Sequence, residues 1–276
     1  MRHKIILSLF TIILFSCSSE DNSITEPQEE LFTVELVATN TNVSIDEVAT
    51  FEVKTNRPFD GITYSTDNFT TSRTVTQNQG DSFGTTLTLY VDTANFGNIT
   101  YSIRVFDASN NQQTATSTLS FTVQKGNAVR VNQVLINNFY DKDNTWDSEY
   151  SSTDPNRLAD VFFSFSKPHI DLFTGQKFKS LWYTSAVKEN QGDLTWNLSQ
   201  ENLYIDPNAL IHFGLADDDG GCVGQDLLLG PPFEKELNLS QYSSTQPSSI
   251  AIEDNSISLD IDFAGVHNIL SRNSYF

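Results

Sequence analysis

The chain has 276 residues and a formal net charge of −19, from 35 acidic and 16 basic side chains. That excess argues against nucleic acid and against unassisted binding to anionic lipid, since both select basic surfaces. With 38% hydrophobic residues, including 20 Phe and 9 Tyr, the chain has apolar material for two modest domains.

Arg2, His3 and Lys4 precede an apolar run over residues 5–15. This is the layout of an export signal, and it is too short for a membrane-spanning helix. Leu14-Phe15-Ser16-Cys17 closes the run and resembles the lipobox of bacterial lipoproteins. The resemblance implies removal of residues 1–16 and acylation of Cys17; an ordinary secretory signal is the alternative. Cleavage takes Arg2 and Lys4 away and moves the formal charge from −19 to −21. Ser18-Ser19-Glu20-Asp21-Asn22 resembles the short acidic tag that sends lipoproteins to the outer face of the outer membrane in some Gram-negative bacteria. Residues 17–30, polar and poor in core residues, read as a flexible tether. With Cys17 acylated, Cys222 is the one other cysteine, which leaves no internal disulfide and no soft-metal cluster.

Residues 31–125 carry short alternating runs separated by turns, with no sustained helical period. Phe32, Val34 and Leu36 alternate, as do Leu87, Leu89 and Val91, and Ile99, Tyr101, Ile103 and Val105. About seven short strands in this span predict an immunoglobulin-like sandwich without its cysteines. The pattern over residues 98–123, a strand, an Asp-Ala-Ser-Asn-Asn turn and a strand ending Phe-Thr-Val, resembles the PKD-type and bacterial immunoglobulin-like modules of surface proteins. Such modules are spacers or adhesive domains. Lys125-Gly126-Asn127 is a polar break where a second domain is expected to begin.

Residues 127–266 read as a second β-sandwich, followed by a tail at 267–276. Two acidic stretches stand out. One connection between strands holds Asp141, Asp143, Asp147, Glu149, Asp154 and Asp160. The other follows the alternating run Ile211, Phe213, Leu215 with Asp217-Asp218-Asp219, two glycines and Asp226. Adjacent carboxylates repel, so water and salt or a bound cation must offset them. Calcium takes about six to eight oxygen ligands, more than one short loop supplies, and two acidic loops together suit it. A solvated acidic edge is the alternative.

The order of features in this half resembles the calcium-dependent lipid-binding C-two domain of synaptotagmins and protein kinase C. Asp160-Val161-Phe162-Phe163 stands for that family's aspartate-headed strand, and Tyr183-Thr184-Ser185 for its "KT" strand. Leu194-Thr195-Trp196-Asn197 stands for its aromatic segment, and Leu215-Ala216-Asp217-Asp218-Asp219 with Asp226 for its closing aspartates. The resemblance implies calcium held by Asp154, Asp160, Asp217, Asp219 and Asp226. Asp147 is a rival to Asp154, and Asp218 fits the interval to Asp226 while Asp217 and Asp219 fit the pair spacing. The family's lipid contact is not carried over, because the loops offer little positive charge.

No catalytic motif appears: there is no Gly-x-Ser-x-Gly, no His-Glu-x-x-His and no phosphate loop. The expected class is a non-enzymatic, surface-anchored lipoprotein with a calcium-binding sandwich, serving adhesion or accessory binding of a glycan or surface protein. The other class is a glycan-binding lipoprotein of a polysaccharide-uptake system. Trp146, Trp182 and Trp196 are its candidate sugar platform, with Trp146 the better placed for exposure and the other two read as core.

Overall fold

A computed structural model describes residues 30–220, 224–240 and 247–264. The expected export signal, most of the expected tether with Cys17, Cys222 and the expected 267–276 tail lie outside the described residues. The fold is all-β and comprises two sandwiches.

The first sandwich is built from β1 (Val34–Asn40), β2 (Val43–Ser44), β3 (Val48–Thr55), β4 (Phe59–Ser65), β5 (Arg73–Thr76), β6 (Thr86–Asp92), β7 (Gly97–Asp107) and β8 (Asn110–Gln124). One sheet has the order β1-β3-β6, and the facing one β2-β8-β7-β4-β5. Pairing is antiparallel except at the edge, where β2 runs parallel to β8. Alternation along β3 sends Ala49, Phe51 and Val53 inward, where Phe51 meets Tyr101 and Phe121. The polar strand β5 carries no alternating apolar signal and emerges only from its pairing with β4.

The second sandwich follows with β9 (Val129–Phe139), β10 (Val161–Ile170), β11 (Lys177–Thr184), β12 (Thr195–Asn197), β13 (Tyr204–Ile205), β14 (Leu210–Asp217), β15 (Lys235–Asn238), β16 (Ser249–Glu253) and β17 (Ile257–Ala264). One sheet is ordered β11-β10-β14-β15, the other β12-β9-β17-β16, with β13 also on β9. Phe163 sits at the centre of this core, its ring 5.2–5.6 Å from those of Phe165, Trp196 and Phe213. Trp196 is buried and donates its indole N–H to Ala186 O at 2.7 Å. Residues 227–229, an apolar run after Asp226, form no strand. Leu227 and Leu228 are buried, and Asp226 makes only an isolated bridge to Ala216.

The hairpin between β10 and β11 reaches onto the first sandwich. Leu172 O accepts from Tyr90 N–H at 2.8 Å, and Phe173 stacks on Phe83 with ring centres 6.0 Å apart. Gly175, at φ +70°, lies where a Cβ would come 3.1 Å from the Tyr90 ring, so both its backbone angle and the close approach call for glycine. Beneath the hairpin, Lys167 is 4% exposed. Its ammonium lies 2.5 Å from Asp46 Oδ1, 3.1 Å from Tyr204 O and 3.7 Å from the Trp182 ring centre.

Candidate metal centre

Strands β10 and β14 run antiparallel with Val161 opposite Asp217. The strand that Asp160 heads therefore lies beside the strand that Asp217 ends, and the two acidic loops meet at one end of the sandwich. Along β14 the inward positions are Ile211, Phe213, Leu215 and then Asp217. Period-two alternation thus puts a carboxylate where the next core residue belongs, and Asp217 is 0% exposed.

Asp217 accepts from the Asp160 backbone N–H through Oδ1 at 2.6 Å, while Asp218 N–H donates to Asp160 O at 2.8 Å. The other oxygen, Asp217 Oδ2, is buried and has no hydrogen-bond partner among the described residues. The loop returns tightly: Asp217 N–H donates to Gln225 O at 2.9 Å, and a Cβ at Gly224 would lie 1.4 Å from Asp217 O. Only glycine fits at position 224.

Carboxylate oxygens of Asp147, Asp217 and Asp219 lie within 4.8 Å of one another. Asp147 arrives from the first acidic loop, pinned by backbone bonds from Trp146 and Asp147 N–H to Arg157 O at 2.8 and 3.3 Å. Trp146 packs half-buried on the core, which fixes the residue after it. Among the described residues, none of the three forms an ion pair. Burial pushes the Asp217 carboxyl up to about 6, further raised by Asp219, Asp147 and Asp160 and partly offset by the Asp160 N–H. Burial also raises Asp147, with Glu149, Asp160 and Asp219 adding to it. These are carboxylates held together against their own repulsion.

Of the five residues expected to hold calcium, Asp217 and Asp219 join this group. Asp160 borders it, with Oδ1 accepting from Asn190 N–H at 2.7 Å. Asp154 lies outside it and caps a short 3-10 turn, Pro155–Arg157, accepting from Asn156 N–H at 2.9 Å. Asp226 also lies outside; burial raises its carboxyl, and then Glu234. Asp147, the rival to Asp154, takes the place in the group. Asp218 turns to its own loop and accepts from Gly220 N–H at 3.1 Å.

No protein-family model matches the chain, and no curated protein matches it.

Proposed function

We propose that the protein is a non-enzymatic lipoprotein, anchored through Cys17 at the outer face of the outer membrane, whose second sandwich binds calcium and serves adhesion or accessory binding. The observation that carries the calcium reading is the orphan Oδ2 of Asp217, fully buried, unneutralised and converging with Asp147 and Asp219. A hard dication supplies the charge this oxygen lacks, and three carboxylates plus backbone carbonyls or water complete an oxygen shell. The three-plus-five first sandwich, with its parallel edge pair, supports an immunoglobulin-like spacer. The adjacency of β10 and β14 supports a divergent C-two-like domain with its loops at one end.

Extracellular modules bind calcium with dissociation constants of about 0.1–1 mM. At roughly 1 mM calcium the gain in stability is about 0.4–1.4 kcal/mol. Thermal unfolding should therefore show a modest rise in melting temperature that chelator reverses and magnesium at equal ionic strength does not reproduce. Asp219→Asn removes most of the rise, and Asp154→Asn retains it. Calorimetry with no heat of binding at millimolar calcium, on folded protein, overturns the reading.

For the anchor, mass spectrometry of the membrane fraction should find an acylated N-terminal Cys17. A Cys17→Ala chain that is still processed and still membrane-bound refutes the lipoprotein reading.

A further inference from the structure

A cleft of about 690 Å³ opens where the β10–β11 hairpin meets the first sandwich, within the roughly 300–1,000 Å³ range of ligand pockets and at the kind of junction they favour. One part of its lining is apolar: half-buried Trp182, with Phe178, Leu181 and Leu210 exposed at 47%, 64% and 41%. Side chains this large and this exposed are available to cover something.

The polar lining decides what. Four carboxylates, Asp46, Glu47, Asp92 and Asp206, share the cleft with three lysines, Lys167, Lys177 and Lys179. Asp46 is paired with Lys167, Asp92 with His169, and Lys179 with Glu234. In a chain of net charge −19 the cleft is nearly balanced. Those pairs leave Glu47 and Asp206 against Lys177, a residual of one negative charge, so a polyanion is disfavoured and a polyamine meets only a weak field. Hydrogen-bonding capacity remains at the rim: Asn208 is exposed, and its amide donates one N–H to Asp206 Oδ1 at 3.0 Å, which leaves the second N–H and the oxygen for a ligand. An uncharged ligand with an apolar face and a rim of hydroxyls matches both parts of the lining.

We infer that this cleft is a saccharide site that takes a neutral oligosaccharide. Sugar C–H faces lie on Trp182 and Phe178, and hydroxyls reach Asn208 and the Asp206 carboxylate. The site is independent of calcium. Strand β14 runs from Leu210 at the cleft to Asp217 at the acidic group, seven residue steps or about 23 Å at strand rise.

The test is calorimetry and tryptophan fluorescence on the whole mature protein with cellohexaose, laminarihexaose, xylohexaose and mannohexaose, and with oligogalacturonate and spermine as charged probes. At least one neutral hexasaccharide should bind at 1:1 stoichiometry, shifting the fluorescence. Phe178→Ala and Asn208→Ala should each weaken it at least tenfold in a protein that stays folded, with only a small loss of melting temperature from the Phe178–His169 ring contact and the Asn208–Asp206 hydrogen bond. Binding should persist in chelator and in Asp217→Asn, so a failure of the calcium reading leaves this one standing. Binding by none of the four sugars, affinity untouched by both variants, or preference for either charged probe overturns it.

Discussion

Lys167→Met should lower the unfolding free energy by about 3–5 kcal/mol, the range for removing one partner of a buried ion pair. Lys167 is 4% exposed, and burial pulls its ammonium below the usual lysine range even though Asp46 and Asp92 hold it up. The pair is therefore a strained arrangement whose members need one another. Without the ammonium, Asp46 keeps only the Asp206 N–H, at 2.9 Å, as partner for a carboxylate whose side chain is 10% exposed. The double variant Asp46→Asn, Lys167→Met should recover at least half of the loss. Asn tolerates the φ of +65° at position 46 and can still accept from Asp206 N–H, while Met packs against the Trp182 ring that the ammonium now faces. Urea denaturation of both variants measures this. A single variant within about 1 kcal/mol of wild type, or a double variant worse than the single, contradicts it.

Alternation made much of the fold readable. Ile257, Leu259, Ile261 and Phe263 are buried in turn along β17, and Tyr101, Ile103 and Val105 along β7, as their spacing requires. The same rule was available for the site, since counting in twos from Ile211 reaches Asp217 and steps over Asp218. Asp154 was legible in a different sense. Asp154-Pro155 is a helix-start signature, an acceptor at the cap followed by proline at the first helical position, and its side chain does that work. The sequence makes Asp147 no more than a rival to Asp154, because what places it is a backbone bond across eleven residues of loop, from Trp146 to Arg157, which no periodicity encodes. Lys167 and Asp46 are 121 residues apart in sequence, so neither the pair nor the cleft above it leaves any local trace.

Asp217→Asn should make calcium-free protein more stable at pH 7.5, by about 2 kcal/mol, while abolishing the gain from calcium. The carboxylate there is buried beside Asp147 and Asp219 with one oxygen unbonded. The amide removes the charge, keeps an acceptor for Asp160 N–H and offers donors to the two remaining carboxylates. The sign of the pH dependence follows. Folding raises this carboxyl from its ordinary value near 4 to about 6, so the folded state holds a proton that the unfolded chain has released over that window. The penalty is therefore full above pH 6 and fades as pH falls towards 4. The stability difference between variant and wild type in chelator should shrink across the same window, and taking the difference isolates this group from the other acids. In 1 mM calcium the gap between the two proteins should narrow by about 0.4–1.4 kcal/mol, because only the wild type gains. Denaturation at pH 7.5 and 5 with calcium or chelator gives all four values. A variant less stable than wild type in chelator at pH 7.5 would mean that Asp217 is already satisfied without a cation, and the calcium reading would lose the observation it stands on.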